Sequence, residues 1–386
     1  MTLRLSDEQR DLRDAVRVLA DERIAPRAAA IDASAEFPWD VVDLLASHDI
    51  LALPYPVEHG GLGGDLLSLC LAIEQISRAC ATSGLILAVH ALASLPLLLA
   101  GTAGQRGHWV PDLAAGRALA AFALTESESG SDAGAARTTA RREGERWRID
   151  GSKRFISQGN VAKLVTTFAV TDTDPAAVRG RRHLTCYIVE QGTPGFTTAR
   201  VEHKMGIRGS PTAELVFDGV TVPDENRIGE VGEGFAIAMR TLDRSRPGIA
   251  AQAVGIAQGA LEASARYAAE RRQFGRPIGE HQMITAMLAD MAARTEAARQ
   301  LLYAACVEVE AGSPSAARWA AMCKLVAGDT AMAVTTDAVQ VFGGYGYISE
   351  YPVERMMRDA KITQLYEGTQ QIQRLVIGRD VLAHGG

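Results

Sequence analysis

The chain has 386 residues, 22% of them charged and 47% hydrophobic, with a formal net charge of −6. This is the make-up of a globular protein long enough for two or three domains, and the charge leaves no basic footprint for nucleic acid. Five cysteines, Cys70, Cys80, Cys186, Cys306 and Cys323, include no CxxC pair and no metal-like spacing, which argues against a disulfide framework or a metal site and suits a reducing cytoplasm.

The N-terminal stretch "MTLRLSDEQRDLRDAVRVLADERIAP" is charged and amphipathic and has no signal-peptide core. Ser6 is placed as an N-cap, and Leu12, Val16, Leu19 and Ile24 keep a helical stripe behind it. "LPYPVEHGGLGGD" reads as a loop, and two apolar helices are expected after it, over Leu66–Arg78 and Ser83–Ala100. The second of these carries His90 and Pro96. It therefore falls short of the roughly 20 uninterrupted apolar residues that a membrane span needs, and a buried helix is expected instead.

From about residue 121 the period changes. "ERWRID", "KLVTTFAV", "LTCYIVE", "GFTTARV" and "AELVFDGVTVP" are short, rich in β-branched and aromatic residues, and separated by Gly, Pro and Asp turns. They predict an antiparallel sheet or barrel. From Gly234 long Ala-rich helices return, and their small residues on several faces predict close packing in a bundle. The expected fold class is multidomain α+β. It comprises an all-α domain over 1–120, an antiparallel β-barrel domain over 121–233 and a four-helix bundle over 234–386.

The Gly-rich stretches "HGGLGGD", "GEVGEGF" and "VFGGYGY" do not open a helix directly after a parallel strand, so none is a dinucleotide fingerprint. "AFALTESESGSDAGA" runs an apolar strand into Thr125, then acids, then Gly130, Ser131 and Asp132. Its hydroxyls and backbone N–H groups suit a heterocycle or phosphate, or equally a capped turn. "GSKRFISQGN" sets Phe155 two residues before Ser157, which suits the wall of a flat ring or a plain strand edge. "ERRQFGRPIGEHQ" ends a helix with arginines fit for a phosphate or for the helix dipole. "TLDRSRPG" puts Asp243 and Arg246 three apart on one helix face, as a surface ion pair would be. In "TQLYEGTQQIQRLVIGR" a lone acid, Glu367, stands between Tyr366 and Gly368 just before a helical stripe.

Taken together and in order, these stretches resemble the acyl-CoA dehydrogenase family of flavoenzymes over essentially the whole chain, most closely its short-chain and short-branched members. The resemblance implies FAD as cofactor and a helical, β-barrel and four-helix domain in that order. It also implies α,β-dehydrogenation of an acyl-CoA to the trans-2-enoyl-CoA, in fatty acid metabolism. Glu367 stands where the family has the base that takes the α-proton, with hydride leaving to flavin N5 and the Glu367 N–H donating to the thioester oxygen. Two branches of the family carry the base at the position of Ser245, so Glu367 is the candidate here. Glutaryl-type members have an Arg at the position of Ile86, which implies a monocarboxylic acyl group.

The resemblance further implies that Phe122, Leu124, Thr125, Gly130 and Ser131 lie along the isoalloxazine, Ser131 also touching CoA, while Phe155 and Ser157 flank the ring. Arg271, Gln273 and Phe274, from a neighbouring subunit, would hold the pyrophosphate side, with His281 and Gln282 nearby. Gln340, Gly343 and Gly344 would meet the adenosine, and Thr369 and Gln371 would close the site. Asp243, Arg246, Tyr366 and Gly368 would meet the substrate. A homotetramer and electron-transferring flavoprotein as electron acceptor are implied as well. Where the family often has Pro, Ser127 stands here, and Glu128 adds a charge. A carrier-protein thioester, the reverse reduction of an enoyl thioester, or a flavin oxidase acting on a non-thioester are alternative readings of the same residues.

Overall fold

The structure, a computed structural model, describes residues 4–385. Helix α1 (Asp7–Leu19) starts at a capping box: the Ser6 hydroxyl accepts from the Gln9 N–H, and Gln9 Oε1 accepts from the Ser6 N–H. Short helices α2 (Ala28–Ser34) and α3 (Trp39–Ser47) follow. Then come α4 (Leu66–Ala79), α5 (Ala81–Ala100) and α6 (Ala103–Ala114). Helix α5 is long and apolar enough to cross a membrane, but it is packed inside the molecule. His90 and Pro96 interrupt its apolar run without interrupting the helix. His90 is fully buried; its Nε2–H donates to the Leu113 carbonyl (3.0 Å), with the Tyr55 hydroxyl 2.9 Å from the same nitrogen, and burial lowers its pKa to about 4.

The middle of the chain folds as one eight-stranded sheet. Its strands are β1 (Ala120–Ala123), β2 (Thr139–Glu143), β3 (Arg146–Ser157), β4 (Leu164–Val170), β5 (Leu184–Glu190), β6 (Phe196–Val201), β7 (Thr212–Pro223) and β8 (Arg227–Ile228). A five-residue helix, α7 (Pro175–Arg179), sits between β4 and β5. The order is β6-β7-β3-β2-β4-β5-β8, and β1 pairs with β4. Pairing is antiparallel as expected except at β1–β4 and β2–β4, which are parallel. Parallel pairing requires a long crossover, supplied here by the residues between β1 and β4.

The C-terminal part comprises α8 (Gly234–Glu270), a two-residue hairpin pair β9 (Arg272–Gln273) and β10 (Arg276–Pro277), then α9 (Gln282–Glu310), α10 (Ala316–Phe342), α11 (Pro352–Ile362) and α12 (Gln370–His384). The small residues of α8 do what the composition predicted. A Cβ on Gly255 or Gly259 would come 2.3 Å from the carbonyl oxygens of Glu74 and Arg78, so the backbones of α8 and α4 touch. Helices from both ends of the chain therefore share one apolar core, running from Val16 and Ile73 through Val254 to Leu302 and Val334. A second apolar cluster, including Leu97, Trp109, Phe168 and Ile237, joins the N-terminal helices to the sheet.

Candidate active site

A cavity of about 560 Å³ opens where α5, α8, the β1 and β3 strand ends and the start of α12 meet. Its apolar wall comes from Leu85, Val89 and Leu92 on α5 and Met239, Leu242 and Ile249 on α8. Phe122, Leu124, Thr125, Gly130, Ser131, Phe155, Ser157, Arg246, Tyr366, Glu367 and Gly368 all line it, brought together from across the sequence.

Local backbone chemistry aims these groups. The register of β3 against β7 slips between Lys153 and Ile156, and Phe155 within this bulge has φ +59°. The bulge turns the aromatic ring outward, leaving it 58% exposed beside the cavity. The loop from Thr125 to Ser131 is fixed from below by Glu126. Its carboxylate accepts from Lys153 Nζ (2.7 Å) and from the N–H groups of Arg137 (2.7 Å) and Thr138 (3.0 Å), while Lys153 Nζ also donates to the Leu124 carbonyl (3.1 Å). Burial would push Glu126 up, but the Lys153 charge and these donors outweigh it and hold the carboxyl below its ordinary range.

Glu367 sits at φ +51° and Gly368 at +92°, two successive left-handed residues immediately before the Thr369 N-cap of α12. A non-glycine residue in this region is uncommon and, in a lined cavity, points to function. The Glu367 carboxylate faces the cavity half-buried, and its Oε2 accepts from the Ser245 hydroxyl at 2.5 Å. Burial raises its pKa from 4.5 to about 7, against the opposing pull of Ser245, Arg246 and Lys324. Arg246 is buried, not a surface residue, and pairs with Asp243 Oδ1 at 2.6 Å. Tyr366 donates to Gln252 Oε1.

A second cavity, about 640 Å³, shares no lining residue with the first. Arg271, Gln273, Phe274, His281, Gly343 and Gly344 line it, with Phe274 93% exposed at φ +51°. Gln282, Gln340 and Gln371 are exposed and line neither cavity, nor do Asp243 and Thr369. The Thr369 hydroxyl accepts from the Ile372 N–H (3.3 Å), so its hydrogen bond serves the start of α12. Glu128 is exposed and lies outside both linings.

Sequence reasoning did not single out Lys324, Gln373 or Arg181, and gave Ser245 no part beside Glu367. Arg181 lies at the cavity with Asp132, its guanidinium 4.6 Å from the Phe235 ring. No spacing signal marks a contact such as Ser245–Glu367, made across 122 residues.

The residues present fit a flavin. An exposed aromatic ring, the hydroxyls of Thr125, Ser131 and Ser157, and a loop glycine open around Gly130 converge on one cavity of ligand size.

Comparison with known proteins agrees. Three domain models of acyl-CoA dehydrogenases match: the N-terminal domain over residues 6–117, the middle domain over 121–220 and the C-terminal domain over 232–382. The short-chain specific acyl-CoA dehydrogenase of Clostridium acetobutylicum is 46% identical over 98% of both chains. Butyryl-CoA dehydrogenase from Megasphaera elsdenii superposes with a TM-score of 0.95 at 42% identity, covering 99% of this chain and 100% of that one. A chain from a structure of the electron transferring flavoprotein of Acidaminococcus fermentans gives a TM-score of 0.96 at 42% identity, with the same coverage. Matched in all three of its parts, the chain belongs to the acyl-CoA dehydrogenase family and is an FAD-dependent oxidoreductase.

Proposed function

We propose that this enzyme converts a short-chain or short-branched acyl-CoA to the trans-2-enoyl-CoA, with Glu367 as the base that takes the α-proton. The observation that carries this reading is a carboxylate, Glu367, held on a strained turn at the cavity that the apolar wall of α5 and α8 lines, with a pKa of about 7. A base is most effective when its pKa lies near the working pH, because it is then both ionised and able to hold a proton. One oxygen of Glu367 is engaged by Ser245, which leaves the other for the α-proton. The Glu367 N–H is the proposed donor to the thioester oxygen, where negative charge develops. FAD, when bound, supplies the acceptor for the β-hydrogen leaving as hydride. Thr125, Ser131, Phe155 and Ser157 would hold its ring, and the wall from α5 and α8 would take the acyl chain and exclude water.

Arg181 and Arg379 at the same cavity support a phosphate-bearing carrier. The separation of the second cavity from the first supports a homotetramer in which a neighbouring subunit brings Arg271, Gln273 and Phe274 to the distal end of FAD. Five buried cysteines, all thiols, support a cytoplasmic setting, and likeness to the Acidaminococcus structure supports an electron-transferring flavoprotein as acceptor.

The test is anaerobic addition of butyryl-, isobutyryl-, 2-methylbutyryl-, hexanoyl- and octanoyl-CoA to the purified yellow protein. Bleaching of the flavin by one short thioester is expected. Bleaching only by carrier-protein thioesters would move the substrate class, and a protein that takes up no flavin would overturn the reading.

Activity is expected to rise with pH through about 7 as Glu367 ionises. Ser245→Ala removes a hydroxyl that favours the carboxylate. The acidic limb of kcat/KM should therefore move to higher pH, while the alkaline plateau changes less; an unmoved limb would show that Ser245 does not tune the base.

A further inference from the structure

Lys324 on α10 is fully buried although it carries an ammonium group. Its Nζ donates to the carbonyl of Gly368 at 2.7 Å and to Gln370 Oε1 at 3.2 Å. Gln373 on α12, also fully buried, donates from Nε2 to the carbonyls of Glu367 (3.2 Å) and Gly368 (2.9 Å), while its Oε1 has no partner. A Cβ on Gly368 would meet Gln373 Nε2 at 2.7 Å, so the turn and the amide are in close contact.

The start of α12 does not need this arrangement, because Thr369 already caps it. What the two donors bind is the pair of carbonyls of Glu367 and Gly368, the two residues held at positive φ. A left-handed glutamate persists only where its surroundings over-determine it.

We infer that Lys324 and Gln373 clamp the Glu367–Gly368 turn and so aim the base, which makes both positioning residues for proton abstraction. The inference rests on the reading of Glu367 as base. A lysine placed only to join α10 to α12 would affect stability and leave the chemistry alone. The clamp instead couples a hydrogen bond to orientation and a charge to ionisation. The charged and titratable groups around Glu367 are Arg246 on α8, itself paired with Asp243, Lys324 with Asp329 on α10, and Tyr366 beside it. Burial lowers Lys324 to about 8, with Glu367 opposing, so near neutral pH its charge favours the carboxylate.

The experiment uses FAD-loaded Lys324→Met, Lys324→Gln and Gln373→Leu with the acyl-CoA that bleaches the wild type, and Glu367→Gln alongside. Displacing a base by about an ångström can cost roughly a hundredfold, so Lys324→Met should lower kcat about tenfold or more while KM stays within about threefold. Its acidic limb in kcat/KM should move to higher pH. Lys324→Gln, which keeps a donor and loses the charge, should recover much of kcat with the limb still shifted. Gln373→Leu should lower kcat and leave the limb in place, and it carries the test by itself if Lys324→Met does not fold. Wild-type kcat and pH profile in the Lys324 variants, or wild-type kcat in Gln373→Leu, would overturn the clamp. Turnover by Glu367→Gln would instead overturn the base reading beneath it.

Discussion

Glu367→Gln is expected to keep its flavin and its fold, to lose nearly all turnover, and to be more stable than the wild type above neutral pH. The loss follows from removing a positioned base, worth about 10²–10⁴ in rate. The gain in stability follows from the same burial that suits Glu367 to its task. Its pKa is about 7 in the folded protein against an ordinary 4.5, so between those values the native state holds more of this proton than the unfolded chain does. Stability conferred by the protonated form is therefore present below pH 4.5, declines as pH rises, and is fully lost above about 7. The cost to the ionised wild type reaches up to roughly 3 kcal/mol, and Gln, neutral and of similar volume, avoids it. Thermal unfolding of both proteins at pH 4.5 and pH 8 measures this. The two curves should lie close at the lower pH and separate at the higher one. Equal stability throughout would mean that Glu367 is not held out of water.

Lys153→Met should produce the largest loss of stability. Lys153 is fully buried, and its ammonium is matched by the carboxylate of Glu126. Removing one member of a buried pair strands the other, at a typical cost of about 3–5 kcal/mol. The damage is local to the site as well, because Lys153 also donates to the carbonyl of Leu124, at the start of the loop bearing Thr125, Gly130 and Ser131. The variant should unfold at lower temperature and release FAD more readily. A double variant, Glu126→Met with Lys153→Met, leaves no unpaired charge and should recover part of the stability. Recovery should be incomplete, since the N–H groups of Arg137 and Thr138 then lose their acceptor. A Lys153→Met protein with unchanged melting temperature and FAD affinity would contradict this.

Much of the site was legible because local chemistry leaves local marks. Ser6 announces a helix start, β-branched and aromatic residues in "LTCYIVE" and "AELVFDGVTVP" announce strands, and Glu367 before Gly368 announces a tight entry to a helix. Hydrophobic periodicity reports which face of an element is covered, though not by what. The parallel pairing of β1 with β4 was thus invisible, as was the core shared by helices from both ends of the chain. Charged residues with buried partners were missed for the same reason. Nothing local to Lys153 in "GSKRF" or Lys324 in "MCKLV" marks burial, and spacing alone made Arg246 half of a surface pair, although the family resemblance put it at the substrate; their distant partners, Glu126, Gly368 and the cavity around Glu367, explain their burial. Gln282, Gln340 and Gln371 show the converse: they are exposed on the surface of the single chain and line neither cavity.

The central claim, that Glu367 takes the α-proton, is tested most directly by anaerobic single-turnover bleaching. FAD-loaded wild type and Glu367→Gln would be mixed above pH 7 with the acyl-CoA that bleaches the wild type, unlabelled and deuterated at Cα. The wild type should bleach promptly and more slowly with the deuterated thioester, while the variant binds the thioester and stays yellow. Bleaching of Glu367→Gln at the wild-type rate would place the base elsewhere.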